Sequence, residues 1–164
     1  MSSIIKKLIG KFLSNTSGAK TEQEIGIIGR DYEDGAPVIY KFVNEMPAEE
    51  IRKQLTWLTV ISWKYDGSSN NRLPSEAENQ RMIILEDVIE NNIEKEGFLR
   101  HVYSRTGNNL KELVYYINDQ DRFLEAFNDV LSDHQRYPIE INFFQDEKWE
   151  DFQRLLGNFS KATE

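Results

Sequence analysis

The chain contains no cysteine, which excludes disulfides, thiolate zinc sites, iron–sulfur clusters and a cysteine nucleophile. Histidine occurs only at His101 and His134, so a histidine-rich metal site within one chain is excluded too. Carboxylate sites for a hard cation such as Mg²⁺ or Ca²⁺ remain, but no segment has the spacing of an EF-hand loop. No metal and no cofactor is expected. Also missing are a Gly-x-Ser-x-Gly elbow, a glycine-rich phosphate loop ending in Lys-Ser or Lys-Thr, a His-Glu-x-x-His pair and a dinucleotide fingerprint. Long apolar runs are missing as well. The opening segment is broken by Lys11 and followed by no small-residue cleavage pattern, so neither a signal-peptide core nor a transmembrane segment is expected, and the expected location is cytoplasmic.

What is present is a globular balance, with 39% apolar and 29% charged residues and ample core material in nine Phe, seven Tyr and three Trp. A length of 164 residues suits one domain able to bury a core without covalent staples. The net charge of -8 repels a phosphate backbone, so nucleic acid is disfavoured as a partner and a basic protein fits better. That charge is uneven: residues 1–20 hold Lys6, Lys7, Lys11 and Lys20 and no acid. Ile4, Ile5, Leu8, Ile9, Phe12 and Leu13 recur between those lysines at helical spacing, which predicts a basic amphipathic helix. Ile5, Lys6, Lys7, Leu8 and Phe12 are its candidate contacts, either with a partner helix or, over residues 4–13, with a membrane surface. Packing of this helix on its own domain is the favoured alternative. Residues 14–20, rich in Ser, Asn, Thr and Gly, read as a linker, which leaves 21–164 as a single α+β domain.

Within that domain, 24–31 and 36–43 read as a hairpin around Glu33-Asp34-Gly35, with Pro37 placing the second strand near an edge. A short helix is expected at Pro47-Ala48-Glu49-Glu50. Residues 55–65 carry apolar groups on both alternating faces, as a central strand does. Ser75 with Glu78 forms a capping box for a helix whose stripe is Met82, Leu85, Ile89 and Ile93. The acids Glu78, Glu86, Asp87, Glu90 and Glu94 lie mainly outside this stripe and read as a solvated helix surface. Strands are expected at 98–105, where His101 alternates with Leu99 and Tyr103, and at 110–117, joined by Thr106-Gly107-Asn108-Asn109. Asn118 or Asp119 caps a helix carrying Phe123, Phe127, Val130, Leu131 and His134; a strand follows at 138–144. Asp146 then caps a last helix with Trp149, Phe152, Leu156 and Phe159. The order from residue 55 predicts a ferredoxin-like βαββαβ sheet with its two helices on one face, extended by an N-terminal β-hairpin and a C-terminal helix.

Taken in order, Asp34-Gly35-Ala36-Pro37, the strand end Trp63-Lys64-Tyr65, the pair Tyr115-Tyr116, Tyr137-Pro138-Ile139 and Asp146-Glu147-Lys148-Trp149 resemble the bacterial family called domain of unknown function 695. The resemblance runs from about Glu24 to Phe152. That family looks related to the inhibitor called regulator of ribonuclease E activity B, a likeness that implies binding rather than catalysis and transfers no site residue.

Three functions compete. The first is a non-enzymatic protein-binding or regulatory module, such as an inhibitor or an immunity protein for a basic toxin. The second is a hydrolase-like enzyme with a carboxylate or histidine site, for which Asp66, Asp146 and His101 are the groups at hand. The third is a single-strand RNA binder using an aromatic sheet face. Trp57, Trp63, Tyr65, Tyr103, Tyr115 and Trp149 are the candidate partner-binding residues, with Tyr116 in the same aromatic set. Against an exposed aromatic face stands the alternative that the last helix, with Trp149 and Phe152, covers it and turns it into core.

Overall fold

The computed structural model describes residues 26–160. The predicted basic helix, with Ile5, Lys6, Lys7, Leu8 and Phe12, and its linker lie outside these residues. Eight-residue strands β1 (Gly26–Glu33) and β2 (Ala36–Val43) form the expected hairpin. Its turn residues Asp34 and Gly35 both have positive φ, at 50° and 78°, the arrangement that suits the right-handed twist of paired strands. After α1 (Glu49–Gln54) come β3 (Trp57–Lys64), α2 (Glu76–Asn92), a 3₁₀ turn at Glu94–Glu96, β4 (Leu99–Gly107), β5 (Leu110–Ile117), α3 (Gln120–Val130), β6 (Ile139–Gln145) and α4 (Glu150–Ser160). Asn108 and Asn109, at φ 50° and 66°, close the β4–β5 hairpin.

The six strands form one antiparallel sheet in the order β1-β2-β4-β5-β3-β6. It is a mixed α/β architecture with four helices among the described residues. β5 lies centrally and is buried on both sides. Leu113, Tyr115 and Ile117 join a core under α2 and α3, while Val114 and Tyr116 join a second core under α4. The α2 stripe is as read from spacing, with Met82, Leu85, Ile89 and Ile93 all buried. On the opposite face Phe152, Leu155 and Phe159 of α4 press on Phe42 and Val102.

β2 lies near the sheet edge as expected, one strand in between β1 and β4; Pro37 pairs with Tyr32 of β1 and the ladder to β4 starts only at Val38. Four other local expectations are corrected. The capping box is half formed. Ser75 Oγ accepts the Glu78 N–H at 3.2 Å, but the Glu78 carboxylate accepts the Trp63 indole N–H at 2.8 Å instead of turning back to the cap. Trp149 precedes α4 rather than belonging to it, and His134 lies beyond α3, with Nδ1 3.0 Å from the Tyr137 hydroxyl. Finally, a β-bulge between His101 and Tyr103 breaks the alternation expected there. His101 faces α2, whereas Val102 and Tyr103 both face α4.

Candidate functional site

The six aromatic candidates do not share one surface. Trp57 is half-buried at the start of β3, against the α2/α3 core. Trp63 and Tyr65 belong to that core; the Trp63 ring sits 5.5 Å from Tyr137 with the Arg81 guanidinium over it, and the Tyr65 hydroxyl donates to the Arg72 carbonyl at 2.9 Å. Tyr115 is buried beneath His101, with ring centroids 5.0 Å apart. On the other face Tyr103 donates to Asp151 at 2.8 Å, and Trp149 is fully buried, stacked on Tyr116 with centroids 3.8 Å apart. Contact with a partner through the buried rings of Trp63, Tyr65, Tyr115 and Trp149 would require opening a core. Burial drives the Tyr65 phenol up to about 12 and raises those of Tyr103, Tyr115 and Tyr116 further, so all four stay neutral at physiological pH.

The carboxylate pair is also separated. Asp146 donates its backbone N–H to the Thr56 carbonyl at the start of β3, whereas Asp66 follows the end of that strand. A strand of this length sets them about 30 Å apart. Each holds its own neighbourhood together. Asp66 accepts the Ser68 N–H at 3.0 Å, and Asp146 accepts from Tyr116 at 2.6 Å and from the first turn of α4. Among the described residues no group of three or more potential ligands could hold a metal ion.

Each face of the sheet carries a concavity. On the α4 side a hollow is lined by Glu33, Tyr40, Tyr103, Arg105, Glu112 and Asp151. Arg105 is buried there, its guanidinium 3.0 Å from Glu33 and near the carbonyls of Gly107 and Leu110. Burial raises the Glu112 carboxyl above its ordinary range. Arg105 with Glu33 ties β4 to β1, and Tyr103 with Asp151 ties β4 to α4.

On the α2 side a trough of about 360 Å³ lies between α2 and the N-terminal hairpin. Its origin is topological. The core beneath α2 and α3 contains residues of β3, β4 and β5 but none of β1 or β2, so the hairpin extends the sheet past the helices and leaves a step. His101, Ser104 and Tyr115 line the bottom, Gly26, Lys41 and Val43 one side, and Ile83, Glu86, Asp87, Glu90 and Glu94 the other. Ile83 is 38% exposed, a large apolar side chain facing solvent at the rim. Glu86 pairs with buried Lys111 at 2.5 Å, and Glu94 accepts the His101 N–H at 3.0 Å. Asp87 and Glu90 are exposed, and acids outnumber the wall's lysine, Lys41.

The electrostatics agree with an acidic field. Burial raises the Tyr115 phenol, and the carboxylates of Glu86, Glu94 and Glu90 add to the shift. Burial lowers His101 to about 4, although Glu86 and the Tyr103 backbone favour its charged form, so the imidazole is neutral at pH 7 and does not offset the acids. Helical spacing marks these acids as a solvated surface. What spacing does not carry is that a strand hairpin faces them, and the signal for that was the pairing of 24–43 with a sheet that two helices are too few to cover. Among the described residues no helix is long and apolar enough to cross a membrane.

Neither a curated protein nor a solved structure matches the chain. A family model described as a family of unknown function, DUF695, matches residues 32–156, a span that includes β2 to β6, α2 and the whole acidic wall of the trough. The chain belongs to that family.

Proposed function

We propose that the chain is a single-domain, cytoplasmic, non-enzymatic binding module whose trough takes a cationic amphipathic segment of a protein partner. The observation that carries this reading is the trough itself: a bottom of His101, Ser104 and Tyr115 with the apolar side chain of Ile83 exposed at the rim, bordered by Asp87, Glu90 and Glu94. A helix with one apolar face and flanking lysines would match it in both respects. The separation of Asp66 from Asp146 favours binding over hydrolysis by a carboxylate pair. The splitting of the aromatics between two cores, with acids beside them, disfavours a nucleic-acid platform. We also read β3 to β6 as a ferredoxin-like unit, since the order β4-β5-β3-β6 is what two crossovers generate, with the hairpin as an added wing.

The test is fluorescence anisotropy of a labelled lysine-rich amphipathic peptide titrated with the protein. Binding should weaken steeply as salt rises, because exposed charges are screened over roughly 8 Å at physiological ionic strength. Asp87→Lys with Glu90→Lys should lower affinity at least tenfold. An unchanged affinity in that variant would remove the trough as the site.

A further inference from the structure

The acidic trough has one wall that ends at Gly26, the residue through which the preceding chain enters β1. Whatever precedes Gly26 therefore starts beside the trough. What precedes it is the one strongly basic and amphipathic stretch of the sequence, with Lys6, Lys7 and Lys11 between Ile5, Leu8 and Phe12. We infer that residues 4–13 are the trough's occupant in the resting chain, and that a partner's cationic segment must displace them. This inference rests on the binding reading above and assigns its regulation.

Three matches support it. The charges complement: lysines meet Asp87, Glu90 and Glu94, which line the trough, and the segment contains no acid that would be repelled. The lengths agree, since ten residues at helical rise span about 15 Å and the wall from Ile83 to Glu94 spans about 16 Å. The tether reaches, because the twelve residues between Leu13 and Gly26 extend to roughly 40 Å, enough to turn the segment back along the wall. Tethering also supplies an effective concentration on the order of millimolar, so a contact too weak to hold a separate peptide is enough in cis. Occupancy by the chain itself covers Ile83 and makes the free site conditional on a competitor.

Because the protein has no cysteine, a nitroxide can be placed at one chosen position in the full chain through Ser14→Cys. In ¹⁵N-labelled protein the amide signals of 83–94 and 41–43 should broaden, while those of α4 stay sharp. A mixture of spin-labelled unenriched chain with unlabelled ¹⁵N chain should show no broadening, as a contact within one molecule requires. Leu8→Ser with Phe12→Ser, which leaves the charge unchanged, should restore the trough signals and raise affinity for an added lysine-rich amphipathic peptide about tenfold. Sharp trough signals in the labelled chain, broadening centred on another face, or broadening in the mixed sample would each overturn occupancy in cis. If the trough signals are sharp and the added peptide still shifts them, the binding reading stands without self-occupancy; if the peptide also leaves them unmoved, both fall.

Discussion

Trp149 shows how one residue ties distant segments together. Its backbone sits at φ 58°, a left-handed conformation costing on the order of 1 kcal/mol for a non-glycine residue. The ring offsets this by full burial on Tyr116 and by donating its N–H to the Leu55 carbonyl at 2.8 Å, which anchors the end of α1. Trp149→Ala should therefore cost about 3 to 5 kcal/mol in urea unfolding. A near-silent effect would contradict this packing. His101 makes a prediction of a different kind. Its folded pKa of about 4 lies below the ordinary value of 6.5, so between those limits the unfolded chain binds more protons. The neutral ring's full contribution is present above pH 6.5, falls as pH drops, and is gone below about 4. Relative to His101→Asn, the wild type should lose on the order of 2 kcal/mol between about pH 7 and about pH 4. Parallel stability curves for the two proteins would refute the lowered pKa of the His101 imidazole.

At the level of elements, the packing of α4 on the hairpin depends on a missing side chain. A Cβ at Gly29 would lie 2.2 Å from the Phe159 ring, and Phe159 is also 4.8 Å from Phe42 by ring centroid. Gly29→Ala should cost roughly 1 to 3 kcal/mol, and adding Phe159→Leu should recover part of it in a double-mutant cycle. Strict additivity would mean that the two residues do not meet. Most elements were legible because their signals are local. Asp34-Gly35 and Asn108-Asn109 are residues that tolerate positive φ, and Met82, Leu85, Ile89 and Ile93 repeat at helical period. The bulge at His101 was not legible, since no residue type marks where a strand gains an extra position, and it moves Tyr103 to the face opposite His101. The pairing of β2 with β4 was equally hidden, because a proline at a strand's first residues fits an edge or a ladder that begins one residue later. The candidate site depends on both, so its acids could be read from the sequence but the trough could not.

For the whole molecule the governing quantity is the uneven charge, an acidic chain of net -8 led by a lysine-only segment. Buried Lys111 adds a structural demand to the same acidic wall. Glu86→Gln would leave its ammonium largely unpaired and should cost about 3 kcal/mol by urea unfolding, at the low end for a buried pair because Glu86 is partly exposed. Asp87 and Glu90 are both exposed, so they are the acids whose reversal should change binding with little change in stability. Everything proposed for the molecule depends on this wall and the hairpin forming its contact surface. Chemical-shift mapping of the Leu8→Ser, Phe12→Ser full chain with a lysine-rich amphipathic peptide at low salt reads that surface residue by residue. The largest shifts should fall on residues 83–94, 41–43 and 101–104 and vanish at high salt; shifts confined to α4 and β6, or none anywhere, would contradict it.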